Sequence, residues 1–143
     1  MPDIIHKVGI QAAPKKVFEA VSTLEGYRGW WGPDAVGNPQ KGGVITFFNH
    51  VDMKVLEFKP NEKVKWLCVR GPEEWMKTEV TFELKRKQGL TFVLFTHAKW
   101  KKPVEFMRHC STKWAVYLLS LKDLVEKGKG RPSPHDIKIH GGD

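Results

Sequence analysis

The sequence predicts an α+β domain in which a curved antiparallel β-sheet wraps around one long C-terminal α-helix. Two observations carry that expectation. Between Pro103 and Gly128, Met107, Cys110, Trp114, Tyr117, Leu118, Leu121, Leu124 and Val125 recur at steps of three and four, the period of a helix that buries one broad face. Between Val44 and Trp100, short apolar and alternating runs are separated by turn residues, the pattern of strands joined by tight connections. A long helix laid across such a sheet often leaves a cavity between them, so any chemistry is expected there.

The elements follow in order. Ile4, His6, Val8 and Ile10 share one face of a first strand. Pro14 suits the first turn of a helix whose buried side is Val17, Phe18, Val21 and Leu24, with Gly26 as its stop. Tyr27 to Trp31 reads as a second short helix or a turn, and Gly32 to Gly43 as a loop rich in Gly, Pro and Asn. Strands are expected at Val44–His50, Met53–Lys59, Lys63–Arg70, Lys77–Arg86 and Leu90–Trp100, separated by Pro60-Asn61-Glu62, Gly71-Pro72 and Lys87-Gln88-Gly89. Connections this short make successive strands antiparallel neighbours. Gly42-Gly43, before a strand, suits a bulge.

At 143 residues the chain is expected to be one domain, with residues 1–128 as the globular body and residues 129–143 as an extended tail. No apolar run reaches the roughly 20 residues that cross a bilayer, and the N-terminus lacks signal-peptide character, so no membrane insertion and a cytoplasmic location are expected. Cys68 and Cys110 read as buried free thiols. The net charge of +8 favours acidic partners, but the lysines are scattered, which favours a solvated surface over nucleic acid.

Several stretches together resemble the START-like (SRPBCC) superfamily, whose architecture is the helix-grip fold. They are IQAAPKKVFEAVSTLEGYRGWW (Ile10–Trp31), VLEFKPNEKVKWLC (Val55–Cys68), TEVTFELKRKQGLTFVLFTHAKW (Thr78–Trp100) and KWAVYLLSLKDLVEKGKGRPSP (Lys113–Pro134). More narrowly, the chain is similar to the branch named after the activator of the heat-shock-protein-ninety ATPase. The resemblance implies a ligand held between sheet and C-terminal helix. It also implies two alternatives, a polyketide-cyclase or aromatase-like enzyme and a chaperone-associated interaction module with an acidic protein partner. Many relatives carry tryptophan where this chain has Cys68, which implies a reshaped pocket.

Side-chain alternation places Val64, Trp66 and Cys68, then Val80, Phe82 and Leu84, then Val93, Phe95 and His97 on one face of the sheet. Opposite them lie Met107, Cys110, Trp114 and Tyr117. The expected ligand-binding residues are therefore Trp66, Cys68, Phe82, Phe95, His97, Met107, Cys110, Trp114 and Tyr117. This is an aromatic chamber suited to a small hydrophobic or aromatic molecule, or else a packed core. His97 and Tyr117 would be its polar points, His97 being either a ligand-orienting imidazole or a hydrogen-bonded core residue. Trp30-Trp31 reads as a plug closing the sheet's end or as a lip of the pocket.

Polar catalytic groups are scarce, which argues against an enzyme. Glu57, between Leu56 and Phe58, should turn to solvent and has no second carboxylate to pair with. His6, His50, His97, His109, His135 and His140 show no metal-ligand spacing, and there is no phosphate loop or nucleophile elbow, so no metal or cofactor is expected.

Overall fold

Alternation and helical period resolve into a helix-grip fold in the computed structural model, which describes residues 2–141. The elements are β1 (Ile4–Ile10), α1 (Pro14–Ser22), α2 (Leu24–Trp30), β2 (Val36–Gly37), β3 (Val44–Phe47), β4 (Val51–Lys59), β5 (Lys63–Arg70), β6 (Glu79–Lys87), β7 (Leu90–Ala98) and α3 (Glu105–Lys127). A single 3-10 turn, Glu73–Trp75, lies between β5 and β6. The strands form one seven-stranded antiparallel sheet in the order β1-β7-β6-β5-β4-β3-β2. No helix among the described residues is long and apolar enough to cross a membrane.

Register fixes which residues face the helices. Val64 pairs with Phe82, Phe82 with Phe95 and Phe95 with His6, while Trp66 pairs with Val80 and Val80 with His97. With a side-chain period of two, those rows share the concave face, and all of them but His6 are buried. The long helix ends at Gly128, whose φ of 80° supplies a left-handed cap and whose N–H reaches the Leu124 carbonyl.

Local details depart from the sequence reading for physical reasons. Gly26 does not stop a helix. The break falls at Thr23, in extended conformation, whose Oγ1 accepts from the Gly26 N–H at 3.0 Å and starts α2. Gly26 lets the two short helices touch, since a Cβ there would lie 2.5 Å from the Ala20 carbonyl oxygen. Gly42-Gly43 makes a turn rather than a bulge, and the irregularities lie in β4, at Asp52/Met53 and Val55/Glu57. The loop before β3 contributes a two-residue edge strand, too short to show a pattern.

Beyond α3 the chain runs back along the helix. The Arg131 N–H donates to Ser120 Oγ at 2.6 Å, and Arg131 pairs with Asp123. The Ser133 N–H donates to the Trp31 carbonyl at 3.0 Å, and the buried Asp136 accepts from Lys113 and Lys138. Gly142 and Asp143 of the expected tail lie outside the described residues.

Candidate functional site

Beneath the sheet, aromatic rings fill the space that alternation left open. Trp30 and Trp31, leaving α2, insert between sheet and long helix. Trp31 stacks on Trp66 (5.9 Å between ring centroids, 10° between planes) and contacts Phe47 at 4.4 Å and Trp114 at 5.0 Å. Trp30 meets Phe82 edge-on at 5.9 Å. Phe95 packs on Trp114 at 4.6 Å. Trp66, Phe82, Phe95 and Cys68 are therefore contained in packed core, with Cys68 Sγ against the Arg70 carbonyl at 3.4 Å. Met107 is half-buried beside that core.

His97 is fully buried and its protons are assigned by its neighbours. The Trp114 indole, a donor only, donates to His97 Nδ1 at 3.1 Å. The remaining proton must then sit on Nε2 and be donated to Thr78 Oγ1 at 2.8 Å, while the Thr78 hydroxyl donates to the Trp75 carbonyl at 2.6 Å. A second proton on the ring would have to displace the Trp114 bond. Burial accordingly pushes His97 down to about 3, so it is neutral near pH 7. Its role in this geometry is to hold the Trp114 indole and, through Thr78, the Trp75 backbone in place.

The open space lies at the edge of that packing, as a groove of about 290 Å³. The turn between β3 and β4 gives it Phe48, His50 and Val51, and the connection between β5 and β6 gives Pro72 and Trp75. Trp31 forms its inner wall, and α3 contributes Phe106, His109, Cys110, Lys113, Trp114 and Tyr117. Of the residues expected from the sequence, Cys110, Trp114 and Tyr117 come together here. Trp66, Cys68, Phe82, Phe95, His97 and Met107 do not line the groove.

Of the lining residues that alternation and helical period missed, Phe48, His50, Pro72 and Trp75 come from turns, while Phe106, His109 and Lys113 flank the expected stripe on α3. Trp75 sits in the polar stretch Gly71-Pro72-Glu73-Glu74, where a lone tryptophan was the available signal. Phe48 breaks the alternation of β3. Its φ of 55°, followed by 60° at Asn49, is an uncommon conformation for a bulky side chain. It is held by the Asp34 carboxylate, which accepts from the Phe48 N–H at 3.0 Å, and by His50 Nδ1–H, which donates to the Phe48 carbonyl at 2.7 Å.

The polar atoms of the groove are few. The Trp75 indole donates to Cys110 Sγ at 3.4 Å, and burial pushes the Cys110 thiol up to about 11, leaving it an unreactive wall. Burial, helped by the Asp136 carboxylate, pushes Tyr117 up to about 12. Asp136 itself is held below the usual carboxylate value, because the bonds from Lys113 and Lys138 outweigh the opposing effect of burial. His109 stacks on Phe106 and meets His140 at 3.2 Å. No cluster of three metal-binding side chains occurs among the described residues.

This arrangement has known counterparts. The family described as activator of Hsp90 ATPase homolog 1-like protein matches residues 11–126. The chain belongs to this family. Among solved structures it is similar to the Aha1 dimer from Colwellia psychrerythraea, at 44% identity over 91% of this chain and 100% of that one, with a TM-score of 0.82. The SSP2350 protein of Staphylococcus saprophyticus (20% identity, 92% and 98% of the chains, TM-score 0.78) shares the fold. So does CalU16 of Micromonospora echinospora (20% identity, 92% and 77%, TM-score 0.76). No functionally curated protein matches the chain.

Proposed function

We propose that the protein binds a small hydrophobic or aromatic molecule in the groove between the sheet's open end and the first half of α3. The observation that carries this reading is an apolar concavity of about 290 Å³ walled by Trp31, Phe48, Trp75, Phe106, Trp114 and Tyr117. That volume sits at the lower edge of the roughly 300–1,000 Å³ usual for ligand sites. Two features support it. The backbone at the rim holds Phe48 and Asn49 at positive φ, and such strain tends to collect at ligand clamps. The indoles of Trp75 and Trp114 are fixed by hydrogen bonds, so these walls are organised before a ligand arrives. With mostly apolar walls and a Cys110 thiol that burial keeps protonated, the groove suits holding an apolar ligand.

Calorimetric titration of 1-naphthol into the wild-type protein and into Cys110→Phe tests the assignment. Saturable binding that weakens at least tenfold in the variant is expected. No saturable heat with the wild type, or equal binding by both, would contradict it.

A second reading draws on a different place. Lys85, Arg86 and Lys87 at the turn between β6 and β7 are exposed and carry no ion pair among the described residues. They lie at the strand end opposite the groove. An acidic protein partner would suit them, and its binding would weaken steeply as salt is raised. The Colwellia relative was solved as a dimer, so light scattering should first establish whether this chain self-associates through another surface.

A further inference from the structure

We infer that Trp31 sets the upper size limit of the groove's ligand at about two fused aromatic rings, its indole closing off the chamber over Trp66. This deepens the small-ligand reading above and rests on it.

The limit follows from volume. An apolar cavity of about 150 Å³ accepts benzene. The groove, at about 290 Å³, is close to twice that, room to bury a bicyclic molecule whole but only part of a tetracyclic one. What stops it going deeper is one side chain. Trp31 lines the groove and also stacks on Trp66, 5.9 Å away, with Phe47 beside it at 4.4 Å. Removing the indole vacates room on the order of a further benzene-sized cavity, roughly 150 Å³, and joins the groove to the ring of Trp66.

Trp31 also differs from the other indole walls in how it is held. Trp75 is fixed by its bond to Cys110 and Trp114 by its bond to His97. The Trp31 indole N–H makes no hydrogen bond among the described residues. Its backbone is clamped on both sides, the N–H to the Tyr27 carbonyl at 2.9 Å and the carbonyl to the Ser133 N–H at 3.0 Å. The side chain is therefore anchored at its root and held at its ring by packing alone. Among the three indoles of the groove, it is the one whose position a ligand or a substitution can change without breaking a hydrogen bond.

The test compares 1-naphthol with 1-hydroxypyrene, two neutral phenols that differ in ring count, by calorimetry on the wild type, Trp31→Ala and Trp31→Phe. Circular dichroism establishes which variants are folded, and Trp31→Phe keeps the test open should Trp31→Ala not fold. The wild type is expected to bind 1-naphthol and to bind 1-hydroxypyrene at least tenfold more weakly. Trp31→Ala is expected to raise 1-hydroxypyrene affinity at least tenfold over wild type, and Trp31→Phe by an intermediate factor. A folded variant with no gain for 1-hydroxypyrene, or a wild type that binds both phenols equally, overturns the assignment to Trp31. A wild type that binds neither phenol overturns the small-ligand reading and, with it, the two-ring limit.

Discussion

The two ends of the aromatic interior use the same residue types to opposite effect. Over the middle of the sheet, Trp66, Phe82 and Phe95 meet Trp30, Trp31 and Trp114 at ring distances of 4.6–5.9 Å and leave no groove. At the end bounded by the β3–β4 and β5–β6 connections, Phe48, Trp75 and Phe106 stand apart around open space. The difference lies in what supplies the opposing side chains. The filled region faces regular elements whose side chains interdigitate, whereas the groove is walled partly by turns, which hold their rings at the rim instead of pressing them inward. Apolar composition therefore does not distinguish a core from a binding site; what faces each ring does, and Trp31 and Trp114 stand at the boundary of the two regions.

Substitutions can separate the two regions. The largest effect is expected from Phe82→Ala, which should lower stability by about 3–5 kcal/mol, the usual loss for a buried phenyl group. Urea denaturation would measure it, and 1-naphthol affinity of the remaining folded protein should change less than twofold. A large loss of affinity at unchanged stability would instead make the middle of the sheet part of the site.

His97 joins the regions, because it accepts from the Trp114 indole and, through the Thr78 hydroxyl, reaches the Trp75 backbone at the groove. The native state holds it at about 3 against an ordinary value of 6.5, so between those pH values the unfolded chain binds the extra proton and the folded chain does not. The stability this provides is present above 6.5 and is lost as pH falls, by roughly 1.4 kcal/mol per unit within the window. Wild type should lose about 2 kcal/mol between pH 6.5 and pH 5. His97→Phe should remove this contribution to the slope and, at pH 7, cost about 2–3 kcal/mol through the unsatisfied Trp114 and Thr78 groups. An unchanged slope in the variant would place the proton elsewhere.

The smallest effect belongs to the outer face. Glu57 meets Lys59, Lys63 and Lys65 at 3.2–3.5 Å, but all four side chains remain in contact with solvent. Bonds with Lys65 and Lys63 hold its carboxyl below the usual value against the opposing effect of partial burial. Glu57→Gln should nevertheless change stability by less than about 1 kcal/mol and leave binding untouched.

The faces that build the two regions were legible in the sequence, but the contrast between them was not. The concave rows through Trp66, Phe82 and His97 followed from a period of two, and the stripe through Cys110, Trp114 and Tyr117 from a helical period. Periodicity says which face a residue occupies but not what lies across from it. That Trp30 and Trp31 occupy the chamber depends on the break at Thr23 and on the close approach at Gly26, neither of which leaves a periodic trace. Phe48 and Trp75 belong to turns, where no period exists to read. The reading of His97 as either ligand-orienting or structural turned on Thr78 and Trp114, 19 and 17 residues away, which only the fold brings to its two nitrogens.

The most direct measurement follows the six tryptophan indole N–H signals by nuclear magnetic resonance during titration with 1-naphthol. The signals of Trp31, Trp75 and Trp114 should shift progressively to saturation while those of Trp66 and Trp100 stay in place. Movement of the Trp66 signal without change at Trp75, or no saturable movement at all, would contradict a filled chamber with its binding site at the groove.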